Sequence, residues 1–240
     1  KQTLDPYLLG LLLGDGCIKF SSIGYSTGDA EIVDSIKTII SQYGCEIVYL
    51  KNYDYSIKSL TSKHRSNLVR EYLKCMELIG TGSWTKFVPD NYLYASKEQR
   101  LAILQGLMDS DGCIDTRKGS CSFSSASLAL IKAVIFLVKS LGGWAKIRTP
   151  SIINGKEYQV VHIKLNICPF RLTRKAILWK APRKYSKYIT NIEALGIKEE
   201  CQCITVDSPT STYITNDFIV THNSLELLSV RHNYISTGKK

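Results

Sequence analysis

Residues 8–16, Leu-Leu-Gly-Leu-Leu-Leu-Gly-Asp-Gly, and residues 104–112, Leu-Gln-Gly-Leu-Met-Asp-Ser-Asp-Gly, are one pattern written twice. Each copy is apolar, sets small residues four apart (Gly10 and Gly14; Gly106 and Ser110) and ends in Asp-Gly. Residues at i and i+4 share a helix face, and small residues there let two helix backbones approach closely. The pattern predicts two helices packed through these faces, with Asp15 and Asp111 brought together at their ends. Gly16 and Gly112 are expected as the C′ glycines that stop them. A carboxylate at a helix C-terminus faces the negative end of the macrodipole, and two side by side repel. A compensating charge is therefore expected, and hard oxygen ligands suit Mg²⁺ or Ca²⁺. An ordinary helix stop accounts for one Asp-Gly but poorly for two in equivalent places.

The motifs anchor a longer repeat. Asp15 and Asp111 stand 96 positions apart; Lys86 follows Asp15 by 71 and Lys180 follows Asp111 by 69; Gly44 follows Gly16 by 28 and Gly142 follows Gly112 by 30. Such agreement implies an internal duplication, and two copies make a pseudo-dimer rather than a solenoid. In the first half, Cys17–Ser22 reads as a strand before a turn holding Gly24 and Gly28. Asp29 then caps a helix to about Tyr43, with Ile32, Val33, Ile36, Ile39 and Ile40 on one face. Strands at Glu46–Lys51 and Tyr55–Leu60 precede a helix near Ser66–Ile79 and a loop at residues 80–89. A helix from about Ser96 carries the second motif. A strand at Cys121–Ser124 and a helix from Ser127 to Leu141 follow. Strands at Ala145–Arg148 and Gln159–Leu165 then flank an Asn154-Gly155 turn, before a helix near Pro169–Leu178. Each half reads α-β-β-α-β-β-α, an α+β fold.

The totals narrow the setting. A 240-residue chain can bury a substantial core. Lys and Arg number 31 against 21 acids, a formal net charge of +10, which points to a polyanion without separating nucleic acid from anionic membrane. No apolar run is long enough to span a bilayer, and Lys1 to Pro6 does not read as a signal peptide. The 8 cysteines are scattered without a C-x-x-C, so reduced thiols in an intracellular protein are expected. Cys201 and Cys203 read as strand alternation.

With the two motifs placed, the sequence resembles the LAGLIDADG homing endonucleases in their single-chain, two-motif form. In that family the eighth motif position carries the metal-binding acid, which falls here on Asp15 and Asp111, with Gly14 and Ser110 beside them in the expected metal site. The sixth position, also acidic in the family, is Asp109 in the second copy but Leu13 in the first. The resemblance implies a pseudo-two-fold αββαββα fold with two saddle-like antiparallel sheets, acting as a monomer on double-stranded DNA. It implies metal-dependent cleavage of both strands at a long asymmetric site, with Mg²⁺ or Mn²⁺ as cofactor and Ca²⁺ able to occupy the site without supporting cleavage. A family lysine in a Lys-x-x-Pro setting is associated with activity. Lys86, in Lys-Phe-Val-Pro, fits it; Lys180, in Lys-Ala-Pro, has one residue fewer before the proline. Such a lysine can polarise water or stabilise developing charge as a point cation.

The strands offer a surface for that partner. Val161, Ile163 and Leu165 alternate with His162 and Lys164; Lys146 and Arg148 share a face opposite Ile147. Lys51, Tyr53, Tyr55 and Lys58 are the polar or amphipathic counterparts in the first half. A strand ribbon fits the major groove, and phosphate contacts should supply most of the affinity. Each residue alone is equally consistent with a solvated sheet face.

Residues 201–224 differ in character. Two strands are expected around a Ser208-Pro209 turn, ending in Thr-His-Asn-Ser at 221–224. This stretch resembles the C-terminal part of an intein, which implies an assisting His222, a cyclising Asn223 and Ser224 as extein nucleophile. The sequence opens at Lys1, directly before the first motif, so an N-terminal intein fragment is an expected partner; Thr61-Ser-Lys-His64 matches a Thr-x-x-His element only by coincidence. The expected divisions are 1–95 and 96–198 for the two halves, 199–223 for the splicing segment and 224–240 for an extein or appended tail. The competing expectations are a cleavage-inactive DNA- or RNA-binding protein (a maturase or regulator) and a split intein part working in splicing.

Overall fold

The computed structural model describes residues 2–19, 22–60, 67–115, 120–148, 150–153, 155–182, 191, 193, 196, 200 and 204–222. The chain forms two compact units, residues 1–183 and 184–240.

The first unit contains the duplication. Its first half runs α1 (Pro6–Gly14), β1 (Gly16–Cys17), β2 (Ile23–Ser26), α2 (Ala30–Ser41), β3 (Cys45–Lys51), β4 (Asp54–Ser59) and α3 (Leu68–Cys75). A four-residue helix, α4 (Asp90–Leu93), leads to the second half. There the order is α5 (Lys97–Ser110), β5 (Gly112–Ile114), β6 (Cys121–Ser125), α6 (Leu128–Ser140), β7 (Trp144–Ile147), β8 (Ser151–Ile153), β9 (Lys156–Lys164) and α7 (Thr173–Ala176). Both halves follow the expected αββαββα order, with β8 as an extra strand. The antiparallel sheets have strand orders β1-β2-β4-β3 and β5-β6-β9-β7, and β8 pairs with β9. Registers repeat: Gly16 faces Tyr25 as Gly112 faces Phe123, and Ile47 faces Ile57 as Ala145 faces Ile163.

The motif helices form the centre of the core. Asp5 caps α1 by accepting from the Leu8 N–H, with Pro6 at the first helical position. Ser96 and Gln99 form a reciprocal capping box on α5. Tyr7 to Leu13 of α1 are all buried, so this helix has no solvent face. It packs on α5 backbone to backbone. A Cβ on Gly10 would run into the Ile103 carbonyl, one on Gly106 into the Tyr7 carbonyl, and one on Gly14 into the Ser110 side chain. The sheets close over this pair through buried Ile23, Tyr25 and Ile57 on one side and Phe123, Val161 and Ile163 on the other.

Several local expectations change. Gly16 and Gly112 are not left-handed C′ residues; they open β1 and β5, and a Cβ on either would strike its own helix at Leu12 or Met108. Glycine is needed there because the strand doubles back over the last helical turn. True left-handed glycines end the next helices, at Gly44 (φ +63°) and Gly142 (φ +79°). Gly24 is not in a turn but in β2, opposite Cys17. The helix expected over Pro169–Leu178 is only α7, because Arg171 and Leu172 spend their N–H groups on Asp109.

In the second unit, β10 (Thr212–Thr215) and β11 (Ile219–His222) pair as an antiparallel hairpin. The expected turn at Ser208-Pro209 is present, closed by the Ser211 N–H donating to the Ser208 carbonyl (2.9 Å). The strand expected after it folds back on itself at residues 216–218, where Asp217 and Phe218 take φ of 60° and 55°. Residues 204–207 are not in a strand. The side chain of His222 and residues Asn223, Ser224, 61–64, 201, 203 and the tail lie outside the described residues. Among the described residues no helix is long and apolar enough to cross a membrane.

Candidate functional site

Asp15 and Asp111 occupy the C-cap positions of α1 and α5, each with its N–H closing the last turn on Leu11 or Leu107. Both line one cleft of about 460 Å³, with Ser83, Lys86, Ser124 and Tyr158. A Cβ built on Gly14 would stand 3.3 Å from Oδ2 of Asp111, which places the second acid against the end of the first helix. Ser110 directs its hydroxyl into its own helix, donating to the Gly106 and Leu107 carbonyls (3.0 Å each).

Two buried lysines meet the charge problem posed by these helix ends. Lys86 Nζ donates to the carbonyls of Leu12 (3.2 Å), Gly14 (2.7 Å) and Gly16 (2.7 Å). Lys175 Nζ donates to Met108 (2.9 Å), Asp109 (2.7 Å) and Gly112 (2.7 Å), with the Ser110 carbonyl at 3.4 Å. The three acceptors of Lys86 lie 96 positions before three of those of Lys175. Each ammonium satisfies orphan carbonyls and opposes the negative end of a macrodipole. An ammonium has three N–H donors, and all three are engaged.

The partner of Lys86 is therefore Lys175 and not Lys180, which is exposed. Counting to the following proline failed because the second half delivers its lysine from α7, whereas the first uses loop 80–89. Leu172, Lys175 and Ala176 have the i, i+3, i+4 spacing of a buried helix face, and a basic residue on such a face was the available signal.

Each lysine-bearing segment is held by the opposite half. Ser127, N-cap of α6, donates its hydroxyl to the Lys86 carbonyl (2.6 Å), and Trp84 rests against Tyr158 of β9 with ring centroids 6.0 Å apart. In the other direction, Asp29 at the N-cap position of α2 takes a bidentate pair from Arg174 (2.8 Å each). Glu31 accepts from the N–H (3.0 Å) and hydroxyl (2.8 Å) of Thr173. Asp109, the sixth-position acid, accepts from Tyr7 (2.8 Å), Arg171 N–H (3.0 Å) and Leu172 N–H (3.1 Å), fixing the approach to α7. Its counterpart Leu13 is plain core.

The electrostatics follow. Surrounding protein and then the charge of Asp15 push the Asp111 carboxyl up to about 6, against the pull of Lys86 and Lys175. Asp15 is raised too, chiefly by desolvation, with the same lysines opposing. Desolvation lowers both ammonium groups while the nearby carboxylates raise them. Both acids still open onto cleft water, which screens these effects. Among the described residues no group of three or more His, Cys, Asp or Glu side chains gathers. Two crowded, mutually repelling carboxylates on an open cleft nevertheless fit Mg²⁺, which binds through one or two carboxylates and keeps water and phosphate as its other ligands.

The strand residues divide. Lys146, Arg148, His162 and Lys164 line one groove of about 1120 Å³ on the second sheet. On the first sheet Lys58 and Lys51 are exposed on strands, and Tyr53 is exposed in the β3–β4 turn. Tyr55 differs from the expectation: it pairs with buried Tyr25 on the face opposite Lys58 and meets Tyr49 edge-on at 5.5 Å.

Residues 98–171 match the family model described as a LAGLIDADG-like domain. A replicative DNA helicase DnaB of Mycobacterium intracellulare is 26% identical over 253 residues, covering 97% of this chain but 38% of the relative. One of Rhodothermus marinus is 26% identical over 175 residues, 66% of this chain and 18% of the relative. The chain thus spans well under half the length of these relatives. Among solved structures, the homing endonuclease I-DmoI in complex with DNA and Ca has a TM-score of 0.50 at 16% identity, over 72% of this chain and 94% of that one. The N-terminal LAGLIDADG domain of DUF199/WhiA gives 0.42 at 12% identity, over 75% and 81%. The fold is the duplicated LAGLIDADG fold.

Proposed function

We propose that this chain is a site-specific, divalent-metal-dependent DNA endonuclease of intein origin that cuts both strands of a long asymmetric site as a monomer. The observation that carries the reading is the placement of Asp15 and Asp111 in one cleft, at the touching ends of two backbone-packed helices. Asp15 and Asp111, flanked by Gly14 and Ser110, would hold Mg²⁺ or Mn²⁺. Bound there, the cation supplies charge neutralisation at the attacking and leaving oxygens of a phosphodiester. The protein's part is to hold two carboxylates where helix ends alone would repel them. Lys86 and Lys175 do this as positioning residues, since their N–H donors are engaged by carbonyls rather than facing water. Lys180 has no place in this arrangement. I-DmoI has been solved with DNA and Ca and with DNA and Mn, which supports both partner and cofactor.

The helicase relatives support the intein part of the reading. A chain aligned over nearly its whole length with a minor share of a helicase is what an insertion within a helicase precursor would give. His222, Asn223 and Ser224 would then act in splicing together with an N-terminal intein fragment: the Asn amide attacks its own carbonyl carbon and releases the following peptide, with His222 moving a proton.

Incubation with Mg²⁺ and a plasmid carrying a DnaB gene without the insertion should give one linear product, lost in Asp15→Asn and Asp111→Asn. Ca²⁺ should support binding without cutting. Tight binding with no cut in Mg²⁺ or Mn²⁺ would favour the cleavage-inactive DNA- or RNA-binding alternative. For splicing, adding the N-terminal fragment should restore peptide cleavage, and Asn223→Ala should abolish it.

A further inference from the structure

Resting on that reading, we infer that phosphate anchoring belongs to the second sheet, and that the first sheet meets DNA as a nearly neutral surface. The two sheets present equivalent faces. Cys17, Gly24, Ser56 and Val48 form a row across the first, and Cys113, Ser122, His162 and Lys146 the same row across the second. What differs is the residue that stands across from each cation.

On the first sheet, Lys58 is directly opposite Glu46, and Lys51 is directly opposite Asp54 beyond a register shift. Opposed side chains on one face are near neighbours, so each strand lysine has a carboxylate across the ladder from it. On the second sheet, Lys146 is opposite His162, and Lys164 is opposite Trp144, with its ammonium 5.4 Å from the ring centroid. Arg148 extends the β7 edge through a 2.8 Å bond to the Val160 carbonyl. Burial and the adjacent Arg148 both lower the proton affinity of His162. Asp115 is the only acid among the described residues lining this groove.

A lysine facing a carboxylate releases fewer counterions when phosphate arrives, because the carboxylate takes up a cation in its place; one facing no carboxylate releases one. Salt-sensitive affinity should therefore come from Lys146, Arg148 and Lys164. Contacts of the first sheet would lean on shape and hydrogen bonding instead, and the protein should load onto DNA second half first.

The test is the salt dependence of binding to a mixed-sequence 30-base-pair duplex in Ca²⁺. Three forms are compared with the wild-type chain: Lys146→Ala/Arg148→Ala/Lys164→Ala, Lys51→Ala/Lys58→Ala, and Glu46→Gln/Asp54→Asn. The first should flatten the slope of log K against log salt by about 2 to 3, at roughly 0.9 for each phosphate no longer neutralised. The second should flatten it by less than about 1, and the third should steepen it by unmasking its lysines. Unchanged circular dichroism and melting temperature show that these surface variants fold. Equal flattening by the first two, or no steepening in the third, overturns the inference and leaves the nuclease reading intact. No binding by the wild-type chain at low salt would sink the nuclease reading itself.

Discussion

The two halves solve one problem by different routes. Below Asp15 the ammonium arrives from an irregular loop and is steadied by Ser127; below Asp111 it arrives from a four-residue helix clamped by Asp29, Glu31 and Asp109. The carbonyls they reach are nonetheless equivalent, residue for residue, across a shift of 96. What the duplication preserves is the position of a buried cation under each acidic helix end, while the chain path that delivers it has drifted. The helix seam cannot drift in this way, because it is backbone against backbone.

That contrast sets the largest expected effect. Gly106→Val places atoms where the Tyr7 carbonyl and the Gly10 Cα already stand. Overpacking usually costs about 1–3 kcal/mol, but here the neighbour is backbone with no rotamer to yield, so about 4 kcal/mol or more is expected. Urea unfolding should show a severely destabilised or unfolded chain. A melting curve close to wild type would mean that the two helices do not touch there.

The lysines come next. Lys175→Met strands several buried carbonyls at the end of α5, and about 3 kcal/mol of stability should go, at roughly 1–3 kcal/mol for an unsatisfied buried group. Lys180→Met, at an exposed site, should stay within about 0.5 kcal/mol of wild type. DNA cleavage should fall with the first and persist with the second. The reverse ranking would restore Lys180 as the partner of Lys86.

Lys180 also marks where the sequence stopped being legible. The motif helices could be read because helical periodicity, small-residue spacing and the terminal acids all coincide within nine residues, twice. Gly44, Gly142 and the Ser96 capping box could be read because they are local signals with local consequences. Lys175 answers to carbonyls more than 60 positions away, and no spacing rule reaches that far. Gly24 read as a turn because a glycine in a strand and a glycine in a turn look alike until the opposing Cys17 is known. Asp109 read as part of a motif acid pattern, yet it holds the backbone at Arg171 and Leu172, a role invisible before α7 is placed.

A smaller, pH-dependent effect separates the acids from the lysines that serve them. With a folded value near 6, above its ordinary carboxylate value, Asp111 favours the folded state most when protonated. That contribution is present below about pH 4 and is lost as pH rises through 6. In chelator, the wild-type melting temperature should therefore fall, relative to Asp111→Asn, between pH 5 and pH 7. Cleft water should hold the difference to about 1 kcal/mol or less, and added Mg²⁺ should oppose it by binding the ionised form. Parallel pH profiles for the two proteins would show that the acids do not crowd each other.

The subtlest asymmetry lies one strand in from the acids, where Tyr25 faces Gly16 and Phe123 faces Gly112. The Tyr25 hydroxyl is buried with no hydrogen-bond partner among the described residues, and desolvation together with the charge of Asp15 opposes its ionisation. A buried hydroxyl without a partner costs about 1–3 kcal/mol, so Tyr25→Phe, which copies the second half into the first, should be neutral or stabilising. A rise of about 2–4 °C in melting temperature corresponds to about 1 kcal/mol in a chain of this size. A fall instead would mean that the hydroxyl has a partner which the variant strands, and the carboxylates whose charge it feels most are Asp15 and then Asp111, the two acids at the seam. In that case the halves differ in how they hold Asp15 and Asp111, and the two DNA strands should be nicked at unequal rates that Tyr25→Phe brings together.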